Sequence, residues 1–519
     1  MIKKILNVGG MTLGSRVLGL VRDILMAATL GAGLAADAFF IAFKLPNFFR
    51  RLFAEGAFSA GFIPLFSRRL GQNKDGHGQH RALKFASNVL SIFLPTLFVV
   101  LILFEIFMPA VMGVLTGGFS GSSAEKFELV VTLGRLTFPY LMLISLVTLF
   151  AGVLNGLGRF SMAASAPMLL NICMITALFF WDDSPLQTAE ALAASISIAG
   201  IVQLLWVAYG LRRAGASIRL PWPKLTPGVK EMLKIAAPAA IGAGVMQINL
   251  LIDLLIAARL LPEGSISYLF YADRLNQLPI GIVGVAVGTV LLPSISRALG
   301  AGNRAKAMHE QNRAMEFALY LALPATLGLI LAAEPLIAAL FERGTFVLAD
   351  SLAASAALIA YATGLPAYIM VKVLTPVFFA RKNTKTPVIF AIISMVINLT
   401  FNLLLYKPYG HVGLAIATSI AAWANVIMLY IYLKIQKSFV ADKPLFIRLA
   451  KSFMGTLFMG AAIWFLLPWV TELIHAGGED KALGLGVLVS VSFLIYFGST
   501  VLLKTFNKKD MSSLISRGS

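Results

Sequence analysis

The chain has 519 residues, of which 58% are hydrophobic and 13% charged, against about 45–50% and about 25% in a typical soluble domain. With a mean hydropathy of +0.84, so few charges cannot cover a water-facing surface, which excludes a soluble globule. A net charge of +19 would point to nucleic acid in a soluble protein, but its placement along the chain assigns it elsewhere.

The apolar stretches run for about 20 residues, the length of a membrane-crossing helix, rather than alternating over the roughly 9–11 residues of a barrel strand. Fourteen spans are predicted in chain order: 5–30, 34–66, 85–112, 130–156, 162–181, 189–211, 232–260, 266–296, 314–341, 352–380, 387–406, 411–433, 449–470 and 483–503. The first is too long for a cleavable signal peptide and carries Arg16, Arg22 and Asp23. The second, eighth and tenth exceed what a bilayer needs and are expected to tilt, kink or project, with Pro46 kinking the second. The 212–235 loop is expected to include a short amphipathic helix after Pro221, Trp222 and Pro223, with Lys224, Lys230 and Lys234 facing anionic headgroups.

Of the 43 Lys and Arg residues, thirty fall in segments on the side of the N-terminus and five (Lys126, Arg259, Arg343, Lys407, Lys481) on the other. This asymmetry places both termini in the cytoplasm and accounts for most of the charge without nucleic acid. The remaining eight lie inside spans: Arg16, Arg22, Lys44, Arg50, Arg51, Arg135, Arg274 and Lys372. Six acids accompany them: Asp23, Asp37, Glu55, Glu105, Asp253 and Asp273. A charge at a span centre costs about 2.5–3.5 kcal/mol. Such charges must pair or line a hydrated cavity, and an excess of cations there calls for an anionic substrate. The single cysteine, Cys173, excludes an internal disulfide, and the five histidines sit in loops or at span ends without metal-ligand spacing.

The two halves repeat. Asp23–Leu30 matches Asp253–Leu260, Leu45-Pro46 matches Leu278-Pro279, Ile63-Pro64 with Ser67-Arg68 matches Leu292-Pro293 with Ser296-Arg297, and Pro139 matches Pro366. Each half holds six spans, an even number, so the repeat is parallel, about an axis along the membrane normal. The expected fold is all-α with 14 transmembrane helices. An N-lobe covers 1–211, a cytoplasmic linker 212–231, a C-lobe 232–433, two extra helices 449–503 and a cytoplasmic tail 504–519.

Ser15-Arg16-Val17-Leu18-Gly19 with Arg22-Asp23, Ala36-Asp37-Ala38-Phe39-Phe40, the stretch from Lys44-Leu45-Pro46-Asn47 to Phe58, and Tyr271-Ala272-Asp273-Arg274-Leu275 resemble the MurJ (MviN) lipid II flippases. These belong to the multidrug/oligosaccharidyl-lipid/polysaccharide exporter superfamily. The resemblance covers the whole chain. It implies paired six-helix lobes working by alternating access in the bacterial cytoplasmic membrane. The implied substrate is lipid II, the undecaprenyl-diphosphate-linked disaccharide-pentapeptide, and the two extra helices would form a groove for its polyprenyl tail. Membrane lipids and cell-wall synthesis proteins are the implied further partners. Arginine suits a diphosphate, because its planar fork binds phosphate oxygens bidentately and keeps its proton.

Arg16, Arg22, Arg50, Arg274 and Lys372 are the candidate substrate-binding cations. Arg16 and Asp23, seven apart, share a face and have a structural pairing as the alternative to cavity lining. Asp37, Lys44, Arg51 and Glu55 form one stripe on an ideal helix, with Arg51 and Glu55 spaced to pair as a gate. Arg50 stands off that stripe with no local acid. Asp273 is expected to pair structurally while Arg274 faces the cavity. Asn249 with Asp253, and Asn398 with Asn402, have i,i+4 spacing that suits a small cation such as sodium, with helix–helix hydrogen bonding as the alternative. No Walker A, H-E-x-x-H or Ser/His/acid constellation is present. The chain therefore reads as a transporter without a cofactor, driven by sodium or the membrane potential. The competing readings are a flippase for another polyprenyl-linked oligosaccharide, a cation-coupled drug exporter of the same superfamily, an intramembrane polyprenyl-phosphate enzyme and a passive scaffold.

Overall fold

The computed structural model describes residues 2–52, 58–72, 77–117, 124–181 and 184–505. All fourteen predicted spans are helical within them. In chain order the helices are α1 (Ile2–Leu30), α2 (Leu34–Phe49), α3 (Ser59–Gly71), α4 (Gly78–Thr116), α5 (Ala124–Thr137), α6 (Pro139–Gly156), α7 (Phe160–Phe180), α8 (Pro185–Arg213), α9 (Pro227–Leu260), α10 (Ser265–Gly300), α11 (Arg304–Leu331), α12 (Ala333–Phe341), α13 (Leu348–Ala380), α14 (Lys385–Ile435), α15 (Lys443–Ala476) and α16 (Gly478–Leu502). Among the described residues, nine helical segments are each long and apolar enough to cross a membrane. No strand forms among the described residues. In a bilayer this is expected, since a helix satisfies its own backbone polar groups.

Local sequence accounts for the breaks. The second predicted span is delivered as α2 and α3, and the backbone widens into a π-helical turn at residues 50–52. Pro46 lies inside α2 and the N–H of Arg50 returns to Asn47 and Pro46 carbonyls. The fourth span divides at Phe138, because Pro139 cannot donate to the preceding turn. Spans eleven and twelve join as α14 through Gly410, whose φ of 55° and ψ of −133° turn the chain just after Pro408. Gly413 is required beside that turn, because a Cβ there would collide with the Leu405 carbonyl.

The linker departs from expectation. Residues 216–226 carry no helix, and the helix that follows starts at Pro227 as the first turn of α9. Pro221, Pro223 and Pro227 remove donors and push the residues before them out of the helical region, so no separate amphipathic helix forms over 212–226.

The chain divides into two compact units, Met1–Gly264 and Ser265–Ser519. In the first, α1 packs along α7, α7 and α6 pack on α8, and α2 packs on α5. A stack of phenylalanines fills its interior: Phe62 lies 5.0 Å from Phe58, 5.5 Å from Phe66 and 5.6 Å from Phe85, ring centre to ring centre. The sequence repeat groups 232–260 with the second lobe, whereas by packing α9 sits with the first unit. Gly61 of α3 lets α9 approach so closely that a Cβ would stand 2.9 Å from the Met232 carbonyl oxygen.

In the second unit α13 is central, packed by α10, α11 and α14. The two helices outside the repeat, α15 and α16, form a pair that rests on α11. Gly460 of α15 faces Leu327 of α11, and Tyr496 of α16 donates to the Tyr320 carbonyl at 2.5 Å while Tyr320 and Thr500 hydroxyls lie 3.0 Å apart. Small residues and interhelical hydrogen bonds at contacts are the means of association where lipid removes the hydrophobic drive. At the start of α15 a charged latch repeats the attachment. Arg313 takes both oxygens of Asp442 at 2.7 and 2.6 Å, and Arg448 reaches the buried Glu316 at 2.7 Å.

Candidate functional site

The first unit holds most of the predicted charges. On α1, Arg16 is exposed and Arg22 is buried. The ion pair on this helix is Arg22 with Asp23, not Arg16 with Asp23. Nε and Nη2 of Arg22 donate to Asp23 Oδ1 at 3.0 and 2.6 Å. Nη1 of Arg22 donates to Asn171 Oδ1 of α7 at 2.9 Å, and Asn171 Nδ2 donates back to the Ser15 carbonyl at 2.9 Å. The arrangement ties α1 to α7 and leaves Arg22 7% exposed. Asn171 was missed by the sequence reading; a lone Asn in an apolar span was its only signal.

Three members of the predicted stripe are described, Asp37 and Lys44 on α2 and Arg51 just after it. Asp37 is buried and accepts a hydrogen bond at 2.7 Å from the backbone N–H of Gly264, which closes the loop after α9. Lys44 and Arg51 are exposed. Glu55, their predicted companion, lies outside the described residues. Arg50 is half-buried in the widened turn, and its Nε donates to Asn47 Oδ1 at 3.1 Å. Asn47 is itself anchored by donating to the Phe43 carbonyl at 3.0 Å. The rest of the guanidinium is thus held from its Nε edge. On α9, Asn249 and Asp253 are half-buried, and Asn249 Oδ1 is enclosed without a hydrogen-bond partner among the described residues.

In the second unit, Asp273 of α10 accepts from Gln277 one turn on, and Arg274 lays its guanidinium 4.8 Å from the centre of the Phe270 ring. This stacking positions a half-buried cation on an aromatic face. Lys372 of α13 is exposed. Asn398 and Asn402 are fully buried. Asn402 Nδ2 donates to Asn398 Oδ1 at 3.1 Å, and Asn398 Nδ2 donates to Thr418 Oγ1 at 3.3 Å across the Gly410 turn. No group of three or more His, Cys, Asp or Glu side chains suited to a metal occurs among the described residues.

The sequence reading also missed a polar knot in the second unit. His475 of α15 lies 3.0 Å from Glu334 of α12 and 3.6 Å from Glu342, whose carbonyl accepts from Lys481 of α16 at 2.6 Å. Each of these residues sits alone in its own segment, so no local spacing announces the group.

The family model described as lipid II flippase MurJ matches residues 26–476. A probable lipid II flippase MurJ of Rhizobium tropici is 42% identical over 503 residues, covering 96% of this chain and 93% of the relative. The lipid II flippase MurJ of Burkholderia cenocepacia is 34% identical, covering 96% of each. Among solved structures, a lipid II flippase MurJ in an inward closed conformation aligns with a TM-score of 0.77 at 29% identity, over 96% of this chain and 98% of that one. An inward-facing multidrug resistance MATE family transporter of the MOP superfamily shares the fold, with a TM-score of 0.67 at 19% identity over 82% of this chain and 94% of that one.

Proposed function

The chain belongs to the lipid II flippase MurJ family, and from that premise we propose how its intramembrane charges carry the substrate. It is a multi-pass transporter of the bacterial cytoplasmic membrane that moves lipid II for peptidoglycan synthesis. The observation that carries the residue-level reading is the exposure of Arg16, Lys44 and Lys372 on long, mainly apolar helices and of Arg51 in the turn after α2. With the half-buried Arg50 they give the first unit, and with the half-buried Arg274 they give the second unit, cations of the kind a diphosphate needs to leave the headgroup region. Arg22 serves at one remove, by holding α1 on α7. Asp37 is a positioning residue through its bond to Gly264. The exposed apolar faces of α15 and α16, with Phe465 83% and Leu494 68% exposed, suit the polyprenyl tail.

Alternating access presents the cations to each side in turn. One elementary charge moved through the full field is worth about 2.3 kcal/mol per 100 mV. An inside-negative potential draws the empty, cationic site toward the cytoplasm. The bound diphosphate cancels that charge and releases the site to open outward. A second reading, sodium coupling, is favoured by one observation: the enclosed, unpartnered Asn249 Oδ1, one turn from Asp253 on α9.

The test of the site is replacement in cells depleted of the native flippase, scoring lipid II on the outer leaflet. Arg50→Ala should abolish flipping with normal expression, and Arg50→Lys should restore it only in part, since the charge remains but the fork is lost. Full flipping by Arg50→Ala would remove Arg50 from the site.

A further inference from the structure

We propose that the linker between α8 and α9 builds a binding site for an anionic glycerophospholipid of the cytoplasmic leaflet. A cleft of about 500 Å³ lies between α4, α6 and the linker, lined by Leu94, Pro95 and Phe98 of α4, Met142 of α6, and Leu220 and Trp222 among others. That volume falls within the usual range for ligand sites.

The linker is held in place to form it. Ala216 is buried, the Arg219 N–H donates to the Ser87 hydroxyl of α4 at 3.0 Å, and the prolines at 221 and 223 keep the chain extended across the helix. Yet the side chains it brings there are not covered: Trp222 is 83% exposed, Leu220 60% and Leu225 58%. Large apolar groups on a fixed loop at the end of membrane-crossing helices point to an apolar chain as occupant.

Charge identifies the other end of that occupant. Arg219 and Lys224 bracket the four lining residues of the linker, are exposed, and make no ion pair among the described residues. Arg212, Arg213, Lys230 and Lys234 extend the row. The one acid in this stretch, Glu231, is already taken by Arg68 at 2.8 Å and Arg69 at 3.7 Å. An apolar cleft beside unneutralised cations matches a molecule with an acyl chain and a phosphate head. A zwitterionic lipid would fill the cleft but return the cations little. Bound there, the lipid would staple the linker to α4.

The experiment uses the full-length protein in detergent, with native mass spectrometry reading retention of added dioleoylphosphatidylglycerol or dioleoylphosphatidylcholine. Wild type should retain the glycerol lipid preferentially. Arg219→Gln with Lys224→Gln should weaken that retention about thirtyfold, at about fivefold per cation near an anionic headgroup, and leave the choline lipid nearly unchanged. Leu220→Ala with Trp222→Ala should weaken both lipids together. Unfolding midpoints matching wild type confirm that each variant is folded; the two pairs are surface changes, so one surviving pair is enough to decide. Equal retention of both lipids by wild type and the glutamine variant would overturn the proposal. So would displacement of the glycerol lipid by inorganic phosphate alone, which would mark a plain anion site. Retention of neither lipid would overturn it too and leave the face to an acidic protein.

Discussion

Removing the Asp23 carboxylate should damage the protein more than removing Asp23 and Arg22 together. Asp23 is 0% exposed and Arg22 7%, and two of the guanidinium nitrogens are committed to Asp23 Oδ1 at 3.0 and 2.6 Å. Asp23→Ala leaves a buried cation held by the Asn171 oxygen at 2.9 Å and the Met174 sulfur at 3.8 Å, a stranded charge that costs about 3–5 kcal/mol. Arg22→Met with Asp23→Leu deletes both charges and fills the volume with apolar groups, a change that is often neutral. The residual loss is one hydrogen bond to Asn171, about 1 kcal/mol, since Asn171 keeps the Ser15 carbonyl. Thermal unfolding of the purified variants gives the order, and outer-leaflet lipid II in depleted cells gives function. Stability and flipping both restored in the double variant make Arg22 a helix tie. Stability restored without flipping gives Arg22 a part in transport. An Asp23→Ala protein as stable as the double variant would refute the argument that Asp23 neutralises a buried charge.

Three further outcomes are expected. Glu316→Ala should loosen α15 from α11, because Arg313 and Arg448 lose their shared buried acid; a loss of about 2 kcal/mol in unfolding is expected, and no change would show that the helix pair is held by its apolar contacts alone. Reporter fusions after residue 519 and in the 342–350 loop should read opposite sides of the membrane, with the terminus cytoplasmic; same-side readings would break the fourteen-span arrangement. Collapsing the membrane potential at constant sodium gradient should stop flipping, whereas removing sodium at constant potential should not; the reverse pattern would sink the field mechanism and make Asp253 the coupling residue.

Helix positions were legible because about 20 apolar residues have few alternatives in a bilayer, and because Pro139 and the Pro408–Gly410 stretch punctuate the chain where the backbone does break. The partners of the charges were not. Helical spacing places Arg16 and Asp23 on one face, yet Arg22, the adjacent residue, takes Asp23. A flexible side chain can wrap from its own helical position to a neighbour's, which backbone angle alone does not register. Asp37, which helical spacing puts in a stripe with Lys44 and Arg51, also accepts from a backbone N–H more than 200 residues away, and a backbone donor leaves no mark in a side-chain pattern. The linker was misread for a related reason. Its lysines have the spacing of a basic amphipathic helix, and the three prolines that forbid one outweigh that periodicity.

The repeat itself argues for unequal lobes. Both copies keep the prolines, at 46 and 64 in the first and at 279 and 293 in the second. Yet α10 runs unbroken from Ser265 to Gly300 across both of its prolines, while the first copy leaves the regular helix after Phe49. Proline alone is therefore not what opens the first copy. The difference lies between the prolines. At the offset that aligns Pro46 with Pro279, Arg50 and Arg51 fall opposite Val283 and Gly284. The first copy places two adjacent cations where the second has none, and there its backbone widens into a π turn, a form that clusters at functional sites. Two guanidinium groups one residue apart would repel and face directions about 100° apart on a regular helix. The irregular turn relaxes that geometry, and Asn47 fixes one of the two by its Nε. Duplication explains the shared kinks, and the adjacent cations at 50 and 51 with their widened turn are then a specialisation of the first lobe.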